Sequence, residues 1–210
     1  MIKKNLKTMI LTSIVILLPI FIGVILWEQL PAEMATHFDA NGVADGWSPK
    51  VWAVFGLPLF LLAVHWFCMA FTSVDPKKQN FSDKVIMLVM WLCPVVSIAG
   101  NGATYLYALD NTVNTVPMAM LLLGCGFIVI GNYMPKMKQS YTIGIKVPWA
   151  LNSEENWNRT HRFAGYMYIL AGVVTIIGGF IGMFWFIPLA LVLAAIVPMT
   201  YSFILYKKGI

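Results

Sequence analysis

Charged residues are scarce in this chain of 210 residues, since Asp, Glu, Lys and Arg together make up only 11% of it. Soluble domains carry about a quarter charged residues. With 60% hydrophobic residues and a mean hydropathy of +0.78, the chain has more apolar surface than a soluble core of this size can bury. The shortage of charge therefore excludes an ordinary soluble domain and indicates an integral membrane protein.

Cysteine is also rare, and the patterns of common hydrolases are missing. The chain has three cysteines, an odd number, and Cys68, Cys93 and Cys125 all lie in apolar runs. This excludes a disulfide framework, so we expect three small buried side chains. The motifs GxSxG and HExxH do not occur. The sequence therefore predicts neither an enzyme nor a cofactor, although His161 beside Glu154 would leave a membrane-embedded enzyme as the weakest alternative.

Long apolar runs fill most of the chain. A membrane-spanning helix needs about 20 consecutive, mostly apolar residues. The sequence predicts an all-α polytopic membrane protein with six transmembrane helices, three in an N-terminal half (residues 1–112) and three in a C-terminal half (residues 113–210). The six runs are Thr8–Trp27, Val51–Thr72, Val85–Leu109, Val113–Asn132, Phe163–Gly182 and Trp185–Tyr206.

The distribution of basic residues predicts the orientation. If the N-terminus is cytoplasmic, every Lys and Arg except Lys50 lies in a cytoplasmic segment. Positive residues are retained on that side, so both termini are predicted to be cytoplasmic in a bacterial cytoplasmic membrane. Because the basic residues are spread over short loops, the net charge of +5 does not indicate direct nucleic-acid binding. The predicted partner is the lipid bilayer.

Two polar features lie inside the predicted spans. Ser97, Asn101 and Thr104 recur at helical spacing, and we expect this face to pack inward and bond across helices. His65 in the second span has no charged partner in the other spans, so a neutral ring bonded to a facing helix is favoured. These groups keep a second function open, a transporter or permease for a small molecule or lipid.

The predicted outer loop, residues 28–50, carries two turn signals. Asn41-Gly42 and Asp45-Gly46 favour turns because Gly accepts positive φ and Asn or Asp bonds its own backbone. A calcium loop starting at Asp39 is excluded, since the positions that it requires hold Val43, Ala44 and Lys50.

The composition of the outer loop favours a membrane-interface or recognition surface over a metal site. His37, Asp39 and Asp45 have no metal-ligand spacing, so no metal is predicted. Phe38 and Trp47 are aromatic residues of the kind that rest at a membrane interface. The alternative is a recognition surface for something that arrives from outside, formed by His37, Asp39, Gly42, Asp45, Gly46 and Trp47.

The predicted inner loop, residues 133–162, is dense in polar and aromatic residues. Asn152 or Ser153 could cap a helix, and Asn152 with Glu155 would form a capping box. Glu155 and Arg159 are four residues apart, which favours an ion pair on a helix. We expect this helix to continue into the fifth span and to place Arg159, His161 and Arg162 at the headgroup level. Upstream, Gly144 and Pro148 break the chain, with Trp149 as a membrane anchor.

These inner-loop residues carry a family resemblance. The segment from Gly131 to Gly172 contains GNYMPK, then IGIKVPWAL, then ENWNRTHR, and it resembles the SdpI family of bacterial membrane proteins. The outer loop looks like a domain of uncharacterised function that often precedes this motif. The matching positions are Gly131, Asn132, Pro135, Lys136, Gly144, Ile145, Pro148, Trp149, Leu151, Trp157, Thr160, His161, Arg162 and Gly165. The chain departs from the pattern at Ser140, Lys146, Val147 and Ala150.

The resemblance implies an immunity function without a cofactor. In the system of the best-known member, the membrane protein protects its host from a secreted toxic peptide. It also draws a small winged-helix repressor to the membrane when the toxin is present. The residues implied in the inner functional motif are Asn132, Pro135, Gly144, Lys146, Pro148, Trp149, Trp157, His161 and Arg162.

Overall fold

The computed structural model describes residues 3–39, 41–110 and 113–210. Among these residues, six helices are long and apolar enough to cross a membrane. This confirms the all-α membrane architecture, while the side on which the termini lie stays a prediction. The six spans are Leu6–Ile25, Trp52–Ser73, Asp83–Leu109, Val116–Lys136, Glu154–Phe180 and Phe186–Lys207.

The helices include two short segments that the hydropathy pattern does not separate. The fifth span begins at Glu154, so the inner-loop helix does continue into the membrane segment as predicted. The helices are α1 (Leu6–Ile25), α2 (Leu57–Ser73), α3 (Asp83–Leu109), α4 (Val116–Tyr133), α5 (Pro148–Asn152), α6 (Glu154–Phe180), α7 (Phe186–Leu191) and α8 (Val197–Lys207).

Two spans contain a π-helical turn that ends two residues before a proline. Trp52–Gly56 precedes Pro58, and Val192–Ile196 precedes Pro198. Proline has no N–H to donate to the residue four positions earlier. A wider turn accommodates the missing bond without ending the helix. In both spans the helix therefore widens just before the proline and continues past it.

The chain forms two compact units. The N-terminal unit comprises Met1–Ser73 and Ile86–Ala119, and the C-terminal unit comprises Val74–Val85 and Met120–Ile210. The segment between α2 and α3 thus belongs to the same unit as the inner loop. All three cysteines are free thiols, but Cys68 and Cys125 are exposed, so the expectation of three buried cysteines was wrong for these two.

In the N-terminal unit, the polar face of α3 packs on the backbone of α1. Ser97 Oγ donates to the Ile16 carbonyl at 2.8 Å, and Tyr105 Oη donates to the Pro19 carbonyl at 3.0 Å. Ser97, Asn101 and Thr104 are all buried, as the spacing predicted. Asn101 Nδ2 donates to the Ser97 carbonyl of its own helix at 2.8 Å. The polar face therefore holds helices together.

His65 bonds to a facing helix in the same unit. Its Nε2 lies 3.0 Å from Thr12 Oγ1, and the Thr12 hydroxyl itself donates to the Thr8 carbonyl at 2.9 Å. The hydroxyl is therefore an acceptor toward His65, and Nε2 carries the ring proton. This confirms the predicted pairing of His65 with another helix.

In the C-terminal unit, α4 and α6 approach each other closely at two pairs of glycines. A Cβ placed on Gly131 would lie 2.8 Å from the Gly165 carbonyl, and one on Gly124 would lie 2.7 Å from the Gly172 carbonyl. The glycines are seven residues apart on each helix, so both pairs lie on one face, and their pairing order makes the helices antiparallel. Such small residues let helix backbones approach in a membrane.

Candidate functional site

The inner loop is a folded structure built around Trp157. This side chain is fully buried, and its Nε1 donates to the Met137 carbonyl at 2.8 Å. Its indole stacks on the His161 ring with 4.0 Å between centroids. The two aromatic residues of the ENWNRTHR segment thus face inward, one helical turn apart on α6. They hold the loop against the helix rather than present a surface.

His161 is the link between α6 and the extended part of the loop. Its Nδ1 lies 2.9 Å from the Trp157 carbonyl, and its Nε2 lies 3.0 Å from the Ile145 amide nitrogen. An amide N–H can only donate, so Nε2 accepts and the ring proton resides on Nδ1. His161 is buried within the protein, and its level relative to the lipid headgroups stays a prediction. The neutral ring thus links the backbone of α6 to the backbone of the loop through two hydrogen bonds.

The rings of Trp157 and His161 also leave no space for a side chain at Gly144. Its φ is +113°, a value that L side chains rarely adopt. A Cβ at this position would lie 2.5 Å from His161 Nε2 and 2.8 Å from Trp157 Cζ2. The loop therefore needs glycine here for both backbone conformation and space.

Asp75 anchors the loop from outside the inner motif, and sequence reasoning missed it. The buried carboxylate accepts hydrogen bonds from Lys77 N at 2.7 Å, Tyr141 N at 3.0 Å and Thr142 Oγ1 at 2.7 Å. Burial works to raise the pKa of Asp75, but these hydrogen bonds, led by Thr142, outweigh it and hold the pKa below the ordinary 3.8. In the sequence, Asp75 stands out only as an acidic residue beside Lys77 and Lys78, and this does not identify the residues to which it bonds.

We expect the inner loop to loosen in acid because of Asp75. A carboxyl whose folded-state pKa is lowered contributes stability that is present above its unfolded pKa and lost as pH falls through the folded pKa. Protease protection of residues 139–146 should therefore fall below pH 3.8. Asp75→Asn should weaken protection at neutral pH by about 1–3 kcal/mol, because amide hydrogens would face the donors. Limited proteolysis against pH measures both.

The control for this experiment is Glu154→Gln, which neutralises an exposed acid on the same side of the C-terminal unit. It should leave the acid transition of the loop in place. A wild-type protein and an Asp75→Asn variant with the same pH profile would contradict the assignment.

Gln139 fixes the short helix α5. Its Nε2 donates to the carbonyls of Ala150 and Leu151, both at 2.9 Å, and its Oε1 accepts from Lys77 Nζ. These bonds satisfy the open carbonyl end of a five-residue helix that could not persist alone. Pro148, which was expected to break the chain, is thus the first residue of a short helix.

Ser153 caps α6, and the alternative with Asn152 was wrong. Ser153 Oγ accepts from the Asn156 amide nitrogen at 3.1 Å, while Asn152 is the last residue of α5. Glu155 instead pairs with Arg159 at 2.6 Å, as its spacing predicted. The third helical position is Asn156, whose buried side chain donates to the Ser202 carbonyl at 3.1 Å. The cap therefore leads directly into contact with α8.

Trp149 lies at a cleft between α5 and α8. Its ring packs on Phe203 at 5.3 Å and on Tyr206 at 6.0 Å between centroids. Its Nε1 is buried, and among the described residues no acceptor lies within hydrogen-bond distance of it. The cleft has a volume of about 520 Å³ and is lined by Pro148, Trp149, Asn152, Ser153, Tyr206, Gly209 and Ile210.

The other residues implied in the motif lie at the surface or at the helix crossing. Asn132, Lys146 and Arg162 are exposed, and Lys146 Nζ reaches the Thr142 carbonyl at 3.4 Å. Pro135 packs against Gly165. The motif is thus divided between buried residues that shape the loop and exposed residues that are free to meet a ligand.

The outer loop folds as a hairpin of two antiparallel strands, β1 (Glu33–Phe38) and β2 (Ala44–Pro49). Asn41-Gly42 lies at the reversal, as predicted, but Asp45-Gly46 lies within β2, so the turn expected there was wrong. The strands themselves were not predicted. Asp39 Oδ1 accepts from Asn41 N and Val43 N, both at 2.8 Å, and Gly42 has φ of +80°. The hydrogen bond from Val43 is the main reason that the pKa of Asp39 is lowered.

Side chains of the hairpin fall into an exposed group and a packed group. His37 Nδ1 lies 2.5 Å from Asp45 Oδ1, with both side chains exposed, and Trp47 is 56% exposed. Gly46 lies against His37, where a Cβ would meet His37 Cβ at 2.7 Å. Phe38 packs edge-to-face on Tyr107 with 4.9 Å between centroids. Of the two aromatic residues, only Trp47 is available at the surface.

Six spans, a hairpin on one loop and a folded polar loop define a multi-pass membrane protein. The family model described as the SdpI/YfhL protein family matches residues 136–202, and the model for a domain of unknown function, DUF1648, matches residues 14–62. The chain is 27% identical over 209 residues to "Immunity protein SdpI" of Bacillus subtilis (strain 168), with 98% of this chain and 97% of the relative covered. The chain is thus similar to the SdpI/YfhL protein family over residues 136–202, and to one immunity protein along almost its whole length. No solved structure matches it.

Proposed function

We propose that this protein is an immunity protein that protects its host membrane from a secreted toxic peptide. The observation that carries the proposal is the similarity along almost the whole length to the immunity protein of Bacillus subtilis. Both polar segments lie within matched regions, since the hairpin falls in residues 14–62 and most of the inner loop in residues 136–202. The similarity therefore includes both polar segments. It does not depend only on apolar helices, which many unrelated membrane proteins share.

The hairpin is the surface that we assign to the toxic peptide. Val43 and Trp47 are 62% and 56% exposed, and the His37–Asp45 pair lies on the same two strands. An exposed aromatic residue beside a polar pair suits a partner that is both hydrophobic and hydrogen-bonding. The tight turn at Asp39 keeps this surface ordered before the peptide arrives, which lowers the entropy cost of binding.

The inner loop is the surface that we assign to signalling, through a small winged-helix repressor. The buried residues Gly144, Trp157 and His161 give the loop a fixed shape, and the cleft beside Trp149 offers about 520 Å³ for an inserted side chain. Exposed Lys146 and Asn152 lie three residues before and three residues after Trp149 in the sequence. A signal would require two states of the protein whose balance the toxic peptide changes.

Survival of a toxin-sensitive bacterium tests the immunity function. Cells that express the protein should survive a toxic peptide of the family type, and Trp47→Ala should lose about tenfold or more in the protective titre because an exposed anchor is removed. Trp185→Ala, which removes a residue that is 82% exposed outside the hairpin, is the matched control and should protect fully. Membrane levels are compared by immunoblot. Equal protection by Trp47→Ala would contradict the hairpin assignment, and failure of the well-inserted wild type would contradict the immunity function.

A separate measurement tests signalling. Trp149→Ala should keep protection but lose recruitment of a fluorescently labelled repressor to the membrane on toxin treatment. Recruitment that is unchanged in this variant, or absent in the wild type, would contradict the assignment of the cleft.

A further inference from the structure

The glycine crossing of α4 and α6 brings three polar side chains to one side. Gly131 of α4 and Gly165 of α6 meet at the crossing. Asn132 follows Gly131 by one residue, Tyr166 follows Gly165 by one residue, and Arg162 precedes Gly165 by three. A residue in an α-helix turns by about 100°. Measured around each helix axis from the glycine at the crossing, Asn132 and Tyr166 are rotated by about +100° and Arg162 by about +60°.

Because the two helices are antiparallel, equal rotations on both lead to the same side of the pair. The rise of about 1.5 Å per residue sets the heights along the axis. Asn132 is displaced from the crossing by about 1.5 Å toward the inner loop, Arg162 by about 4.5 Å the same way, and Tyr166 by about 1.5 Å the other way. The Cα atom of Asn132 thus lies at a level between those of Arg162 and Tyr166.

All three side chains are exposed, and Tyr166 is 67% exposed. Within the part of the chain that the structure describes, none of the three has a hydrogen-bond or ion-pair partner. Arg159, one turn earlier on α6, differs because Glu155 holds its guanidinium at 2.6 Å. Glu155 is thereby occupied, and exposed Lys136 adds a positive charge at the end of the fourth span. The face therefore combines donors with uncompensated positive charge.

We propose that Arg162, Asn132 and Tyr166 bind the phosphate of an anionic phospholipid. A guanidinium presents two parallel N–H groups to a phosphate, and carboxamide and phenol add further donors. The fourth span ends at Lys136, four residues after Asn132, where a leaflet places its headgroups. The crossing of Gly131 with Gly165 brings Arg162 and Tyr166 close to the level of Asn132. Exposed apolar residues Ile169 and Val173 continue along α6 away from the inner loop, in the direction in which acyl chains would extend from that headgroup. This site is independent of the toxin-binding surface proposed for the hairpin.

Native mass spectrometry of the full-length protein released from detergent tests the site. The wild type should retain phosphatidylglycerol in preference to phosphatidylcholine. Arg162→Gln should weaken phosphatidylglycerol binding about tenfold, the effect of losing a hydrogen bond to a charged group. Arg162→Lys should recover only part of it, because the ammonium lacks the planar fork. Asn132→Ala and Tyr166→Phe should each weaken binding less.

Arg159→Gln is the matched control, since it removes the same charge from the same end of α6. It should change binding less than twofold, and size-exclusion profiles show whether each variant is folded. Equal losses in Arg159→Gln and Arg162→Gln would mean diffuse charge attraction and would overturn the site, as would unchanged binding in the Arg162, Asn132 and Tyr166 variants. Displacement of the lipid by millimolar inorganic phosphate would identify a free anion as the ligand and overturn the lipid assignment.

Discussion

A Gly144→Ala variant is expected to lose about 2–5 kcal/mol of stability in the inner loop. About 1–2 kcal/mol comes from an L residue at positive φ, and about 1–3 kcal/mol from overpacking. The φ is +113°, and the new methyl group would lie 2.5 Å from the His161 nitrogen that accepts from Ile145. Relief of the contact would break that bond. A thermal melt in detergent should show a midpoint lower by about 10 °C, since about 1 kcal/mol corresponds to 2–4 °C for a chain of this size.

Gly182→Ala separates the two causes. Gly182 also has positive φ, +69°, but a Cβ there would meet nothing within 4 Å. It should therefore show the backbone strain alone, about 1–2 kcal/mol. If Gly144→Ala melted no lower than Gly182→Ala, the packing of Gly144 against Trp157 and His161 would be disproved. If the two differed as expected, loss of function in Gly144→Ala would reflect the shape of the loop and not a direct contact.

Gly124→Val is expected to separate α4 from α6, at a cost of about 3 kcal/mol from overpacking. The first added atom would lie 2.7 Å from the Gly172 carbonyl and 2.5 Å from Ile176 Cγ1. The side chain of Ile176 can move, but the backbone of Gly172 can move only with its helix. In a membrane the two helices gain little from excluding water, so their association depends on this close packing. Thermal melts and cross-linking between cysteines introduced on α4 and α6 measure the separation.

Gly126→Val is the control on the same helix, because a Cβ at Gly126 meets nothing within 4 Å. It should melt within a few degrees of the wild type. Equal destabilisation by both substitutions would assign the effect to the helix backbone and not to the crossing. A stable Gly124→Val protein would show that α4 and α6 tolerate a wider separation than the structure has.

Several features followed from local sequence because their causes are local. The six spans follow from apolar length, and the ion pair of Glu155 with Arg159 follows from the spacing of four on a helix. The hairpin turn followed from Asn41-Gly42, although the flanking strands did not, since EMATHF and ADGWSP have no clean alternation of apolar and polar residues. The choice of Ser153 over Asn152 as helix cap was also open, because both residue types cap well.

The inner motif required the fold. Its residue types could be recognised as a family pattern, but sequence spacing alone could not show that Trp157 and His161 face inward. Asp75 lies 66 residues before Tyr141, to which it bonds. No local rule connects positions at that distance. The face formed by Asn132, Arg162 and Tyr166 likewise exists only because Gly131 and Gly165 meet.

The sequence by itself determined that this protein lies in a membrane, where its six helices lie along the chain, and which family its polar segments resemble. Each of these depends on composition, run length or a short pattern, which folding does not change. The tertiary structure alone decided which polar residues of the motif are buried supports and which are exposed. Burial depends on partners brought from distant parts of the chain. The contact of two glycines at a helix crossing, or one carboxylate from another loop, sets the surroundings of residues that a pattern can only name.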